Sequence, residues 1–323
     1  MYYYTVGRDN LALTVFVPWD CSNSCAFCTS KGQYRANPPD LKNVKYQIKK
    51  FFAEYDFPVK DVVFTGGEPL MDVDSLADLV DLVPEGKNIY VNTTMVRTGF
   101  QKFKDLIGTG KIKGVNISRH AETFEEDCKN LCDIVSDDEI GLIECPVRIN
   151  VVLDKQNMKA LVSRWSGKKV VLNLRANYRT MTPEKLHNPY SLAAMELLEN
   201  GYKFTGHTQC NVCDTTYFKH DDPDMPAVMY HKGLQSTAIF RDKMVEINDM
   251  VIDQAGHLGY DWGRIDFELL DDMLRLSQKA KSKLELTVGD ALRSLTEAWQ
   301  GCGCTRSCGQ PQHYYSSCGG SGC

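Results

Sequence analysis

The chain has 323 residues, of which 43% are hydrophobic and 24% charged, and its formal net charge is −5. This composition is typical of a folded globular protein, and the acidic balance argues against a nucleic-acid partner. The N-terminus lacks the basic and apolar regions of a signal peptide, and the apolar run at 11–19 is too short to span a bilayer. The sequence therefore predicts a cytoplasmic protein without membrane spans, in which 13 cysteines indicate metal or redox chemistry.

Short β-branched runs alternate with amphipathic stretches through the first half of the chain. Strands are predicted at 11–17, 61–65, 88–93, 114–118, 147–153 and 169–175, and helices at 43–55, 74–82, 99–107, 122–135 and 156–164. This alternation favours parallel strands joined by right-handed helical crossovers. Six units are too few for the eight-unit closed barrel. The expected fold class is therefore α/β, a partial (β/α)6 TIM-like barrel.

The pattern changes after about residue 180. A helix at 188–201 is expected to end at Gly201, and a β-hairpin is expected within 244–262, with Gly256 near its turn. The last segment is rich in Gly, Ser and Cys and has no apolar periodicity. The predicted organisation is a barrel core at 1–185, a smaller C-terminal α+β region at 186–300 and a Cys-rich tail at 301–323.

The stretch "DCSNSCAFCTS", residues 20–30, holds three cysteines spaced Cys21-x3-Cys25-x2-Cys28, directly after the first predicted strand. A loop at this place lies at the C-terminal mouth of a parallel barrel, where reactive groups collect. Thiolates suit zinc or iron–sulfur clusters. A four-iron cluster bound by three cysteines keeps one iron open to a substrate or cofactor, whereas a zinc knuckle needs a further, distant ligand.

This spacing, with Phe27 before the last cysteine, resembles the signature of radical S-adenosylmethionine (SAM) enzymes. The segment "TGGEP" also matches, with Gly66, Gly67, Glu68 and Pro69 directly after a predicted strand. The resemblance covers roughly residues 10–180. It implies a [4Fe-4S] cluster on the three cysteines and SAM on the open iron, with the methionyl amine donating hydrogen bonds to the backbone of the glycine segment. It also implies reductive cleavage of SAM to a 5′-deoxyadenosyl radical, which abstracts hydrogen from a substrate.

Three weaker matches lie at later strand ends, and the first is "VNTTM" at 91–95, which resembles the polar end of the family's third strand. Ser118, in "NISRHA", resembles a serine that contacts the cofactor in this family, and Asn150, in "RIN", resembles a ribose contact. Arg175 is expected to face the mouth, near the substrate or the SAM carboxylate. The alternative for Ser118, Arg119 and His120 is a loop of solvated polar groups, and the alternative for Arg175 is a solvated charge.

The remaining cysteines have several interpretations. Cys128 and Cys132, at helical spacing, and Cys145 are expected to be core residues. Cys210 and Cys213 have the spacing of a second metal site. They are interpreted as ligands of an auxiliary iron–sulfur cluster shared with the tail cysteines, as a zinc site with His207 and His220, or as unliganded. The tail residues are Cys302, Cys304, Cys308, Cys318 and Cys323.

The sequence predicts an enzyme but leaves its substrate open. A ribosomally made peptide and a small molecule or cofactor precursor are the main alternatives, followed by activation of a glycyl-radical enzyme and RNA modification. The non-enzymatic alternative is an iron–sulfur or zinc scaffold. The resemblance further implies an electron donor such as flavodoxin or ferredoxin.

Overall fold

A computed structural model describes residues 3–6, 11–28, 38–55, 57–153, 156–177, 187–209, 213–233, 238–241, 244–247 and 249–259. The predicted Cys-rich tail at 301–323 and the end of the predicted 186–300 region, beyond residue 259, therefore lie outside the described residues. Within these ranges, no helix combines the length and the apolar character needed to cross a membrane.

Strands and helices alternate as the sequence predicts. The strands are β1 (Tyr3–Val6), β2 (Leu11–Phe16), β3 (Val59–Thr65), β4 (Asn88–Thr93), β5 (Ile112–Ser118), β6 (Val147–Val152), β7 (Val170–Arg175), β8 (Tyr202–Gln209), β9 (Cys213–His220), β10 (Ala227–Gly233), β11 (Ala238–Arg241), β12 (Met244–Ile247), β13 (Asp249–Ile252) and β14 (Leu258–Gly259). The helices are α1 (Leu41–Glu54), α2 (Val73–Val80), α3 (Arg97–Gly108), α4 (Phe124–Asn130), α5 (Asp137–Gly141), α6 (Met158–Arg164) and α7 (His187–Glu199).

The six predicted strands, β2 to β7, lie side by side in chain order and run parallel. The predicted α/β class with a partial barrel is confirmed. Their alternate residues, such as Leu13, Val15 and Ile149, join one hydrophobic core with the helices. Since side chains alternate across a strand, the intervening residues lie on the opposite, inward face of the sheet. That face is largely polar and includes Thr14, Asn116 and Asn173.

Strands from the C-terminal half extend this sheet at both edges, which the sequence did not predict. β13 pairs in parallel with β2, and β10 pairs in parallel with β7. Antiparallel strands then follow, so that the order is β14-β13-β2-β3-β4-β5-β6-β7-β10-β9-β8. β1, β12 and β11 form a separate three-stranded sheet. The C-terminal half thus supplies both flanks of the barrel sheet.

The predicted helix at 122–135 is instead two short helices. α4 ends because Leu131 adopts an extended backbone, with φ −121° and ψ 138°. Ser136 is the N-cap of α5, and its hydroxyl and backbone form a capping box with Glu139. Cys128 and Cys132 are consequently exposed, and the prediction that they lie in the core is wrong. The buried residue of α4 is Asp127.

Other local predictions are confirmed. Cys145 is half-buried and packs against the core. The helix predicted at 188–201 is α7, and Gly201 follows it with a positive φ of 85°. The hairpin predicted around Gly256 is formed by β13 and β14, although β13 also pairs with β2.

Candidate functional site

The cysteine loop leaves the sheet at the carboxyl end of β2. Val17 continues the strand pairing for one residue, since its backbone N–H donates to the Thr65 carbonyl at 2.7 Å. Farther along, the Cys28 N–H donates to the Cys25 carbonyl at 3.2 Å and closes a turn. Cys21, Cys25 and Cys28 are all half-buried, and none of them forms a disulfide among the described residues. The loop therefore presents its three thiols at the mouth of the barrel.

Asn23 anchors this loop to two other parts of the molecule. Its buried side chain donates to the Thr94 hydroxyl at 3.1 Å, beyond β4, and accepts from the Cys132 N–H at 2.6 Å, beyond α4. The Cys132 thiol also lies 3.6 Å from the Ser22 carbonyl. Sequence analysis did not single out Asn23, because a polar residue between cysteines carries no signal of its long-range partners.

The glycine segment packs directly on the cysteine loop. Gly66 follows β3 with φ 88°, a conformation that side chains rarely adopt. A Cβ on Gly67 would lie 2.0 Å from the Trp19 carbonyl oxygen and 2.9 Å from that of Asp20. The Glu68 N–H donates to the Asp20 carbonyl at 3.3 Å, and the Trp19 indole donates to the Glu68 carbonyl at 2.9 Å. The two predicted motifs thus form one structural unit.

The Glu68 carboxylate joins the end of β3 to the end of β4. It is buried and accepts hydrogen bonds from the Leu70 N–H at 3.1 Å, from the Thr94 N–H and hydroxyl at 2.6 Å each, and from the Thr93 hydroxyl. Burial raises the pKa of Glu68, while these hydrogen bonds act against that rise. Pro69, also buried, begins a short 3-10 turn. The Glu68 side chain therefore supports the site through Thr93 and Thr94.

The segment after β5 contacts the cysteine loop through two rings. The Phe27 and His120 rings meet edge to face, with centroids 4.5 Å apart. The His120 Nδ1 accepts a hydrogen bond from the Val152 N–H at 3.1 Å, so this nitrogen carries no proton. Burial, followed by the charges of Arg119 and Arg164, lowers the pKa of His120 to about 4 against the opposing effect of Asp127. The ring is thus held neutral beside the loop.

Arg119 is buried, so the alternative in which its side chain is solvated is wrong. Its guanidinium donates to the carbonyls of Thr94 at 2.6 Å, Ser118 at 2.8 Å and Val135 at 3.0 Å. Burial lowers its pKa to about 10. Because three chain segments meet at this one side chain, Arg119 fixes the spacing between the ends of β4 and β5.

The remaining predicted residues also lie at the carboxyl ends of parallel strands. Ser118 ends β5 and is the register partner of Asn150 on β6. Asn150 accepts a hydrogen bond from the Asn173 amide at 2.7 Å, and Asn116 donates to Asn92 at the same distance. Arg175 ends β7 and is buried. All the predicted cofactor residues therefore share one edge of the sheet with the cysteine loop.

The thiols of Cys21, Cys25 and Cys28 are the donor type that a [4Fe-4S] cluster takes. Within the described ranges, no three His, Cys, Asp or Glu side chains converge as ligands for one metal ion. Burial, together with the charges of Glu68, Cys25 and Cys28, raises the pKa of Cys21 to about 11 against a hydrogen bond from Asn23. A [4Fe-4S] cluster takes one thiolate on each of several irons, so three neighbouring but separate thiols fit it, and binding would release protons.

The second predicted metal site is only partly described. Cys210 lies outside the described residues, while Cys213 begins β9, at the turn of the β8–β9 hairpin. His220 ends the same eight-residue strand, about 24 Å away at the usual rise per residue. His220 also accepts a hydrogen bond from the Asp222 N–H at 3.0 Å. The zinc site that includes His220 is therefore incompatible with the strand.

Comparisons with known proteins agree with this geometry. The radical SAM superfamily model matches residues 20–139. The crystal structure of Streptococcus suis SuiB bound to precursor peptide SuiA aligns with TM-score 0.52 and 12% identity, covering 77% of this chain and 58% of that one. The structure of SuiB bound to S-adenosylmethionine aligns with TM-score 0.44 and 16% identity, covering 59% and 45%. No curated protein sequence matches the chain.

The matched region covers most of the site described above, although Asn150 and Arg175 lie outside it. It contains the three cysteines, the glycine segment, Thr94 and Ser118. The family implies a [4Fe-4S] cluster and SAM as cofactors. The chain therefore carries a domain of the radical SAM superfamily, at residues 20–139.

Proposed function

We propose that this protein is a radical SAM enzyme that holds a [4Fe-4S] cluster on Cys21, Cys25 and Cys28 and binds SAM beside Gly66–Pro69. The observation that carries the proposal is the contact between the two motifs, in which Gly67 packs without a Cβ on the Trp19 and Asp20 carbonyls. When bound, the cluster and SAM would supply the 5′-deoxyadenosyl radical that abstracts hydrogen from a substrate.

The residues of this chain have positioning roles in that proposal. Asn23 and Glu68 hold the cysteine loop and the glycine segment against the end of β4. His120 and Arg119 hold the end of β5. Ser118 and Asn150 are proposed SAM contacts, because both lie on the inward face at the same edge. A site that is buried on this face also keeps water away from a reactive radical.

We further propose a peptide as the substrate. SuiB, which shares the fold at TM-score 0.52, is described as bound to a precursor peptide. Cys210 and Cys213, the latter at the start of β9, have the spacing proposed for an auxiliary metal site. The external electron donor in this proposal is a flavodoxin or ferredoxin.

Anaerobic reconstitution tests the cofactor chemistry. Iron and sulfide are counted against protein, and 5′-deoxyadenosine is measured after SAM and dithionite are added. We expect about four irons for one cluster and about eight if Cys210 and Cys213 hold a second. Substitution of Cys21, Cys25 or Cys28 by alanine should abolish SAM cleavage.

Cys128→Ser is the matched control, because Cys128 is an exposed free thiol outside the site. It should retain wild-type iron content and cleavage. If the reconstituted wild-type protein yields no 5′-deoxyadenosine, or if the Cys21→Ala variant cleaves SAM as well as wild type, the proposed function is wrong.

A further inference from the structure

One buried cation on the inward face forms no ion pair with any acidic residue that the structure describes. Arg175, the last residue of β7, is 6% exposed, and its Nη2 atom has no hydrogen-bond partner in the described part of the chain. Its register partners are Val152 on β6 and His231 on β10, neither of which is acidic. The guanidinium is therefore buried without a neighbouring carboxylate on the strands that flank it.

Two other buried arginines near this end of the barrel have more partners. Arg164 pairs with the carboxylates of Asp127 and Asp137. Arg119 donates to three backbone carbonyls, although its Nε atom also has no partner among the described residues. An unpaired charge inside a protein costs several kcal/mol in lost hydration, about as much as breaking a buried ion pair. A protein is expected to bury an unpaired cation at this cost where a bound ligand supplies the missing negative charge.

Polar groups surround Arg175 on the same face. His231 is 5% exposed, and its Nδ1 lies 3.0 Å from the hydroxyl of Thr215 on β9, itself 2% exposed. The Tyr190 hydroxyl donates to the His231 carbonyl at 2.8 Å and fixes β10 to α7. Asn173, two residues before Arg175, is 0% exposed, and its Oδ1 has no hydrogen-bond partner among the described residues. These groups continue the polar face from Arg175 on β7 across β10 to β9.

Arg175 lies between the two halves of the described chain. On one side is β6, which carries Asn150, a proposed SAM contact, and on the other is β10, from the C-terminal half. The glycine segment follows β3, four strands away in the sheet order. Of the two roles expected for Arg175, we choose the substrate role, because β10 brings His231 beside it.

We propose that Arg175, with His231 and Thr215 beside it, binds a carboxylate of the substrate, such as an acidic side chain or the C-terminus of a peptide. The planar guanidinium fork matches a carboxylate through two parallel hydrogen bonds. This inference deepens the proposed function and rests on it for the identity of the ligand as a substrate. It assigns a carboxylate-bearing substrate to this enzyme.

Binding of a model carboxylate tests the inference. The probe is N-acetyl-aspartate amide, measured by saturation-transfer NMR on the full chain as purified, without iron, sulfide or SAM. We expect binding to the wild type, at least tenfold weaker binding to Arg175→Gln, and an intermediate loss in Arg175→Lys, which keeps the charge but not the fork. N-acetyl-asparagine amide is the neutral probe and should not bind.

Arg97→Gln is the matched control, since Arg97 is an exposed arginine paired with Glu139. It should bind the probe like the wild type. Arginine modification by phenylglyoxal adds a test on unmutated protein, in which the probe should protect Arg175 but not Arg97. This protection experiment remains informative even if the Arg175 variants do not fold, because it uses unmutated protein.

Three results would overturn the inference: no probe binding to the wild type, equal binding to Arg175→Gln, or stronger binding of inorganic phosphate than of the carboxylate probe. A tenfold loss of SAM affinity in reconstituted Arg175→Gln, measured by equilibrium dialysis, would overturn it too, by assigning Arg175 to the SAM carboxylate. Because the probe assay needs neither cluster nor SAM, its failure is distinguishable from failure of SAM cleavage.

Discussion

At the scale of single residues, the mouth of the barrel depends on side chains that are absent or buried. Gly67 lacks the Cβ that would meet the Trp19 carbonyl, and Glu68 turns its carboxylate toward Thr93 and Thr94. Both contacts hold the glycine segment against its neighbours. The loop that carries the three thiols is therefore shaped by residues that need not touch a cofactor.

Gly67→Ala tests that contact. The added methyl group cannot fit 2.0 Å from a backbone oxygen, so the cysteine loop must shift, at a cost of about 1–3 kcal/mol. We expect lower iron content after reconstitution and a reduced free energy of unfolding. Gly108→Ala is the control, because a Cβ there meets nothing within 4 Å. Normal iron content in Gly67→Ala would contradict this interpretation.

His120 should make stability depend on pH. Its pKa in the folded protein is about 4, below the ordinary value of 6.5. The unfolded chain therefore binds a proton first as the pH falls from 6.5 to 4, and the free energy of unfolding declines by up to about 1.4 kcal/mol per pH unit. Above pH 6.5 this contribution is complete and constant.

Urea unfolding of wild type and His120→Gln at several pH values measures the effect. The difference in free energy of unfolding between the two proteins should become smaller as the pH falls from 6.5 to 4, because glutamine does not titrate. Parallel stability curves over that interval would show that His120 is not held neutral by the fold.

The sequence predicts the residues of the motifs but not all of their partners. The three cysteines and the glycine segment have fixed local spacing, so their presence can be read from the chain. Asn23 and Arg119 act through contacts with Thr94 and Val135, which lie far away in sequence. Such contacts depend on the fold, and no local pattern identifies them.

At the scale of secondary-structure elements, α4 and α6 are joined to each other by a buried ion-pair network. Arg164, on α6, pairs with Asp127 of α4 at 2.6 Å and with Asp137 of α5 at 2.7 Å. Asp127 in turn accepts from the N–H groups of His120 and Ala121. The network therefore links these three helices to the segment that carries His120.

Arg164→Ala should lower the free energy of unfolding by about 3–5 kcal/mol, because it leaves two carboxylates without their partner in a buried place. Lys102→Ala removes an exposed pair with Asp74 and should cost less than about 1 kcal/mol. Chemical denaturation of both variants checks the contrast. An equal decrease in the free energy of unfolding of both variants would mean that the Arg164 network stabilises the fold no more than an exposed ion pair does.

The elements that sequence analysis misjudged are those without a clear period. The predicted helix at 122–135 spans two short helices and an extended residue, Leu131, whose backbone conformation the apolar spacing does not reveal. β8, β9 and β10 were not predicted either. This part of the sequence was interpreted from the spacing of Cys210 and Cys213, and its strand pattern was not recognised.

At the scale of the whole molecule, strands from the end of the described chain complete the barrel sheet. β13 lies beside β2, and its residues Met250 and Ile252 are fully buried in the common core. This placement brings residues almost the whole chain apart into one hydrogen-bonded sheet. The core at β2 is therefore expected to depend on the C-terminal half.

Met250→Ala tests this dependence. Because Met250 is 0% exposed, its truncation should lower the free energy of unfolding by about 2–5 kcal/mol. Met71→Ala is the control, since Met71 is 48% exposed and should change stability by less than about 0.5 kcal/mol. Chemical denaturation measures both. A Met250→Ala variant as stable as Met71→Ala would place β13 outside the core.

The sequence predicts the six central strands because each is a short apolar run followed by a helix. It does not predict which later strands join them, since parallel pairing between β10 and β7 or β13 and β2 leaves no trace in local periodicity. The surface around Arg175 that is proposed to bind a carboxylate cannot be predicted from the sequence for the same reason, because His231 lies beside Arg175 only through the pairing of β10 with β7.

The anchoring of Asn23 has a consequence for loss of the proposed cluster to oxygen. The two hydrogen bonds of Asn23, to Thr94 and Cys132, join groups of the polypeptide alone. We therefore expect these bonds to persist when iron and sulfide are lost, and the loop to take up fresh iron and sulfide without refolding of the barrel.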